Sequence, residues 1–295
     1  MVNENDVMFS VEVLTYNQKD YIAQTLQSII DQEHNYKYEI LVSDDCSTDG
    51  TQEIIKEFHK KYPDVIKPVY NEKNLGAMQN YYATIMRAKG KYLMGCAGDD
   101  YWLPGKVEKQ IEFMENNKSF AVCYGKAKLY NNNTKKIKEE IGKNYLDFKD
   151  LLTIGDECPS VTMCFRRDFF LKYLNEIKPQ DRDWMMEDYP FLIYTAFNSN
   201  LFFMNKSFAV YRVIENSISH QTNIEKQLKY EKSVNTVKSF FAEMYNVQIP
   251  EFDIVKLRKK MIREKSVLYK VLFVIKRLFK AIIPYGIIKL LKRYN

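Results

Sequence analysis

A chain of 295 residues, 46% hydrophobic and 28% charged, can bury a sizeable core and has the composition of a globular protein. Its five cysteines, Cys46, Cys96, Cys123, Cys158 and Cys164, are an odd number without close pairs, which argues against a disulfide framework or a zinc site and for reduced thiols in the cytosol. The net charge of +6 is unevenly placed: residues 255–295 hold 13 Lys or Arg and one acid, which leaves 31 basic and 37 acidic residues, or −6, for the rest.

No basic run precedes an apolar stretch in Met1 to Val7, so no secretory leader is expected. Met8 to Thr15 reads as a strand, broken at Tyr16 and Asn17, and from Asp20 the spacing of Ile22, Leu26, Ile29 and Ile30 predicts a helix with one buried face. Tyr38 to Ser43 is a second strand, followed by D-D-C-S-T-D-G-T at Asp44 to Thr51, where Asp49 can cap the helix carrying Ile54, Ile55 and Phe58. A third strand, Val65 to Tyr70, leads through N-E-K-N-L-G to a helix over Ala77 to Ala88, and a fourth strand begins at Lys91. This alternation predicts a mostly parallel sheet flanked by crossover helices. The loops after its strands then share one edge, bringing Thr15, Asp44, Asp45, Asp99 and Asp100 together.

The second half is less regular. A helix is expected from Pro104 and Gly105 to Asn116, a strand over Phe120 to Tyr130, a polar loop at N-N-N-T-K-K, a short helix over Asp147 to Thr153 and a strand over Val161 to Phe165. Asp183 to Ala196 joins acids to a dense apolar helix, Leu201 to Val213 reads as a hairpin or paired strands, and a polar helix runs from Asn223 to Tyr245. The organisation expected is a domain over 1–222 (a nucleotide-binding half, 1–102, and an acceptor half, 103–222), a helical extension over 223–254 and a basic tail over 255–295.

In that tail Leu257, Met261, Leu268, Leu272, Ile275, Phe279 and Ile282 fall on one helical face, while Lys270, Lys276, Arg277 and Lys280 interrupt every long apolar run. A spanning helix needs about 20 mostly apolar residues. A cationic amphipathic helix instead lies in the membrane interface, drawn to anionic headgroups, or packs on an acidic protein surface. Nucleic acid is not expected as a partner, because the body is acidic and shows no nucleic-acid module.

The stretch with most chemical content is K-Y-L-M-G-C-A-G-D-D-Y-W, Lys91 to Trp102. Two adjacent carboxylates end a buried strand on a glycine-loosened turn. Hard divalent cations take oxygen ligands and reach phosphates through one or two carboxylates; alone, G-D-D also reads as an ordinary solvated turn.

Taken in order, T-Y-N (Thr15 to Asn17), L-V-S-D-D-C-S-T-D-G-T (Leu41 to Thr51), N-L-G (Asn74 to Gly76), G-D-D (Gly98 to Asp100) and E-D (Glu187, Asp188) resemble the inverting family 2 glycosyltransferases of the GT-A fold, over about the first 220 residues. The resemblance implies a nucleotide-sugar donor, UDP-linked first and dTDP-linked second, with Thr15, Tyr16, Asn17, Asp44, Asp45, Asn74, Gly76 and Asp99 lining its pocket. Asp44 matches the acid that reads the base, Asp99 the residue near the ribose and Asp100 the ligand of Mn2+ or Mg2+, with His220 near the metal or diphosphate. Asp188 matches the general base, with Glu187 as its alternate. Two departures stand out: Met78, Gln79 and Asn80 replace the A-R-N of many relatives, and Q-D-R-D-W at Gln180 to Trp184 is not the Q-x-x-R-W of processive members.

The implied activity is transfer of a hexosyl or N-acetylhexosaminyl group to a hydroxyl of a glycan, as a cytoplasmic enzyme on the inner face of the cell membrane building surface glycan on a lipid-linked (polyprenyl diphosphate) acceptor. The alternative is a catalytically inactive, membrane-bound glycan-binding or scaffold subunit.

Overall fold

The structure is a computed structural model, and it describes residues 7–145, 147–154, 157–214 and 223–262. Strands β1 (Phe9–Thr15), β2 (Tyr38–Asp44), β3 (Ile66–Tyr70) and β4 (Tyr92–Gly95) alternate with helices α1 (Ile22–Ile30), α2 (Thr51–Lys61) and α3 (Ala77–Ile85). The four strands are parallel in the order β3-β2-β1-β4. The expected α/β class and the crossover pattern are therefore present, with boundaries shifted by one to three residues.

The reason lies in how β1 is patterned. Phe9, Val11 and Val13 leave one face of the strand and meet Ile22, Leu26 and Ile29 of α1 in a single core, each burial contributing about 1.5–3 kcal/mol. The α1 residues recur at the three-to-four spacing that keeps them on one helical face. Ser10, Glu12 and Leu14 leave the other face.

The sheet continues through β8 (Cys164–Arg166), β6 (Phe120–Asn131), β9 (Asn200–Val213) and β5 (Tyr101–Trp102), with β7 (Lys136–Ile141) paired to β6. Strands β6 and β9 run with the first four, and β8, β7 and β5 run against them. Helices α4 (Lys106–Asn116), α5 (Phe148–Ile154), α6 (Arg167–Ile177), α7 (Asp188–Asn198) and α8 (Ile224–Met244) complete the described elements, with a further helical stretch at 254–262.

Two expectations for the second half are corrected, and two elements, β7 and α6, go beyond what the sequence predicts. Leu201 to Val213 is neither a hairpin nor paired strands but part of one strand parallel to β6, bent where the register shifts around Lys126 and Ser207. The N-N-N-T-K-K loop is the turn of a hairpin whose second arm, β7, is almost wholly exposed and so lacks an apolar alternation. The helix expected from Asp183 begins only at Asp188, while α6, just before it, was not anticipated.

Contacts divide the chain into one unit of residues 1–220 with 233–250, which carries the sheet, and a second of 221–232 with 251–295. In the second unit Arg258 pairs with Glu225 at 2.6 Å, and Ile254, Val255 and Ile262 are exposed. No helix among the described residues is long and apolar enough to cross a membrane. His220 and the tail positions from Leu268 to Ile282 lie outside the described residues.

Candidate active site

At the carboxyl edge of the sheet Thr15, Asp44 and Tyr70 stand side by side in register on β1, β2 and β3. The loops beyond are stitched together by main-chain bonds: Asp45 N–H donates to Thr15 O at 2.9 Å and Gly98 N–H to Leu14 O at 2.8 Å. Gly98 has no room for a side chain, because a Cβ there would lie 2.5 Å from Gln18 Oε1 and 2.8 Å from Thr15 Oγ1.

Asp44 is fully buried. Its Oδ1 accepts from Ser47 N–H at 2.9 Å and Gln52 Nε2 at 2.7 Å, whereas Oδ2 is buried without a partner. Thr15 Oγ1 and Gln18 Oε1 are buried and unpartnered as well. Unpaired buried acceptors cost free energy, so this edge is built to receive hydrogen-bond donors. Tyr16 is 50% exposed next to Thr15, and Asn17, at φ 52°, joins the first loop to the second through Ser47 Oγ and Thr48 N–H.

Asp45 differs from its neighbour. Its carboxylate is consumed within the protein, accepting from Leu75 N–H (2.8 Å), Gly76 N–H (2.9 Å) and Asn71 Nδ2 (3.0 Å). Asn74 donates back to Asp45 O at 3.2 Å, and Gly76 turns at φ +81°. Asp45, Asn74 and Gly76 thus form a brace that shapes the rim.

The turn after β4 carries the acid pair. Thr25 Oγ1 donates to the carbonyls of Gly98 and Asp100, at 2.9 and 2.6 Å. Arg212, at the end of β9, gives its main-chain N–H to Asp100 Oδ1 at 2.8 Å, and its guanidinium donates to Asp99 O and Gln24 Oε1 between the rings of Tyr21 and Tyr101. Burial pushes the Asp99 carboxyl up although Arg212 and Gln18 favour its charged form; burial and then Asp99 push Asp100 well up. Two crowded carboxyls resisting full ionisation suit a divalent cation.

At the start of α7, burial and then Asp188 raise the Glu187 carboxyl to about 8. Asp188 is raised by burial too, but is held down by the N–H of Tyr189, 2.8 Å from its Oδ1, and by Ser160. One carboxyl of the pair is therefore the readier anion. Sequence reasoning passed over Glu12, Gln18, Gln24 and Arg212. Only Glu12 left a trace, as an acid inside an otherwise apolar strand.

The family model described as "Glycosyl transferase family 2" matches residues 10–174. The chain belongs to glycosyl transferase family 2. An uncharacterized glycosyltransferase of Methanocaldococcus jannaschii is 30% identical over 241 residues, covering 78% of this chain and 79% of that one. The UDP-Glc:α-D-GlcNAc-diphosphoundecaprenol β-1,3-glucosyltransferase WfaP of Escherichia coli is 35% identical over 113 residues, 38% of this chain and 43% of its own. The chain spans only 34% of the length of the first curated relatives that it matches. Among solved structures, S. aureus TarS 1–349 in complex with UDP-GlcNAc superposes with a TM-score of 0.58 at 21% identity, covering 78% of this chain and 66% of that fragment, a likeness of fold. The match to the family 2 model takes in Thr15 to Asp100; Glu187 and Asp188 lie beyond it.

Proposed function

We propose that the chain is an inverting glycosyltransferase that moves a hexosyl or N-acetylhexosaminyl group from a UDP-sugar to a hydroxyl of a glycan acceptor. The observation that carries this reading is the unpartnered Asp44 Oδ2, buried between Thr15 and Tyr70 at the sheet edge. A uracil ring offers an imide N–H to such an acceptor, and Tyr16 supplies an exposed ring beside it for the base.

Asp100 would hold Mn2+ or Mg2+, with Asp99 beside it near the ribose. A divalent cation held by one or two carboxylates completes its shell with phosphate oxygens and water. When bound, the cation supplies Lewis-acid stabilisation of the diphosphate leaving group. His220 is proposed as a further contact to the metal or diphosphate.

The chain's own residues do the rest. Asp44 and Thr15 fix the nucleoside, and the Asp45–Asn74–Gly76 brace keeps the rim in shape. Asp188 takes the proton from the acceptor hydroxyl as it attacks the anomeric carbon. Direct displacement assisted by a single base inverts that carbon. Glu187, neutral until about pH 8, leaves Asp188 to act alone.

The acceptor is proposed to be a lipid-linked glycan, a reading supported by the E. coli relative, which is a glucosyltransferase acting on a diphosphoundecaprenol substrate. Residues 255–295 would bring the enzyme to the anionic inner face of the membrane through their thirteen basic residues. The test is UDP binding by calorimetry to the wild type and Asp44→Ala. A loss of about tenfold or more is expected for a hydrogen bond to a charged group, and equal affinity would refute the assignment of the base pocket.

A further inference from the structure

Glu12 is an acid in the middle of a central strand, in register with Gly95 of β4. A Cβ at position 95 would lie 2.3 Å from Glu12 Oε1, so the glycine is what makes room for the carboxyl. The groups that face Glu12 are Glu187 from the start of α7, Tyr81 from α3 and Cys96 after β4. Burial, then Glu187, push the Glu12 carboxyl well above the usual range. Beyond Glu187 stand Asp188 and the phenols of Tyr82 and Tyr173, 8% and 0% exposed, which interact with each other and whose buried hydroxyls have no other hydrogen-bond partner. Arg182 acts on Tyr173 but is engaged elsewhere, lying 4.0 Å from the Phe240 ring centre and donating to Ile177 O. Among the described residues no Lys, Arg or His forms an ion pair with Glu12 or Glu187.

Acids crowded together without a cation stay protonated. A ligand bringing a positive charge would let them ionise and form charge-assisted hydrogen bonds, while the Tyr82–Tyr173 phenol pair would take its remaining polar groups. A ligand bringing a carboxylate would add charge where none is neutralised. We infer that Glu12 and Glu187, over Gly95 and beside Tyr82 and Tyr173, form a subsite for a protonated amino group of the sugar substrate. The substrate class is thereby an amino sugar with a free amine. This rests on the nucleotide-sugar reading of the cleft.

Calorimetry on the full chain with Mn2+ tests it, comparing UDP-glucosamine with UDP-glucose at pH 7 in two buffers of different ionisation enthalpy. The expected result is tighter binding of the amine by about tenfold or more, with protons released as the acids ionise. Glu12→Gln should bring the ratio near one without changing UDP-glucose affinity, and Glu12→Asp should keep part of the preference. A second arm, glucosamine against glucose with the site saturated by UDP, places the amine on the acceptor if the preference and its loss in Glu12→Gln appear there instead. No amine preference in either arm, or one indifferent to Glu12, overturns the inference while leaving the cleft reading intact. Failure of UDP itself to bind defeats both.

Discussion

The main-chain N–H of Arg212 donates to Asp100 Oδ1 at 2.8 Å across 112 residues of sequence. The same residue's guanidinium holds the carbonyl of Asp99 and the amide of Gln24. The last residues of the long strand β9 thus set the shape of the turn that ends β4. Arg212→Met should cost about 1.5–3 kcal/mol, the worth of hydrogen bonds made by a charged group, and should weaken Mn2+ binding in the presence of UDP. Arg212→Lys should recover little of either, because a lysine cannot bond two acceptors as a planar fork. Urea denaturation and a Mn2+ titration check the two effects.

Asp45 and Asp44 are adjacent and chemically identical, yet they are expected to respond differently to mutation. Removing the Asp45 carboxylate orphans the Leu75 N–H and leaves Gly76 N–H only Asn74 Oδ1, so Asp45→Ala should lower stability by about 1–3 kcal/mol and raise the donor KM with little change in kcat. Asp44→Ala takes the acceptor from Ser47 N–H and Gln52 Nε2 and should cost stability of the same order, but it also removes the unpartnered Oδ2 and should weaken nucleotide binding by about tenfold or more. Denaturation curves and steady-state kinetics on both variants separate the brace from the pocket.

Gly98 sits where any side chain collides with Gln18 and Thr15. Gly98→Ala should destabilise the fold by about 1–3 kcal/mol, as overpacking does, and move the turn carrying Asp99 and Asp100. A lower melting temperature together with weaker UDP binding is expected.

Glu187 gives a pH signature. Its carboxyl rises from 4.5 in the unfolded chain to about 8 in the fold, so between these values the folded state binds more protons and stability falls as pH rises. Removing the charge with Glu187→Gln should therefore stabilise the protein more at pH 8 than at pH 5, which denaturation at the two pH values measures. Asp188→Asn, by contrast, should lower kcat by about 10²- to 10⁴-fold, the range for a positioned base, with donor affinity retained.

The nucleotide half was legible because its signals are local. Strand and helix periods differ, and the acids Asp44, Asp99 and Asp100 fall at strand ends where an α/β sheet opens its crevice. What was not legible depends on distance or context. Arg212 ends a strand whose bend at Asn205, Lys206 and Ser207 reads locally as a turn, and its partners lie more than a hundred residues away. Glu12 breaks the apolar pattern of β1, but its meaning comes from Gly95 in the next strand and from Glu187 in a distant helix. Asp45 carries the same motif signal as Asp44, and only the hydrogen bonds tell the brace from the open acceptor.

The measurement that tests the central claim most directly is UDP-sugar binding with and without Mn2+, for the wild type and Asp100→Asn. The account predicts that one UDP-sugar binds, that Mn2+ tightens it, and that Asp100→Asn removes the metal's effect while the nucleotide still occupies the Asp44 pocket. Binding that ignores both Mn2+ and Asp100, or no binding of any UDP-sugar, would contradict it.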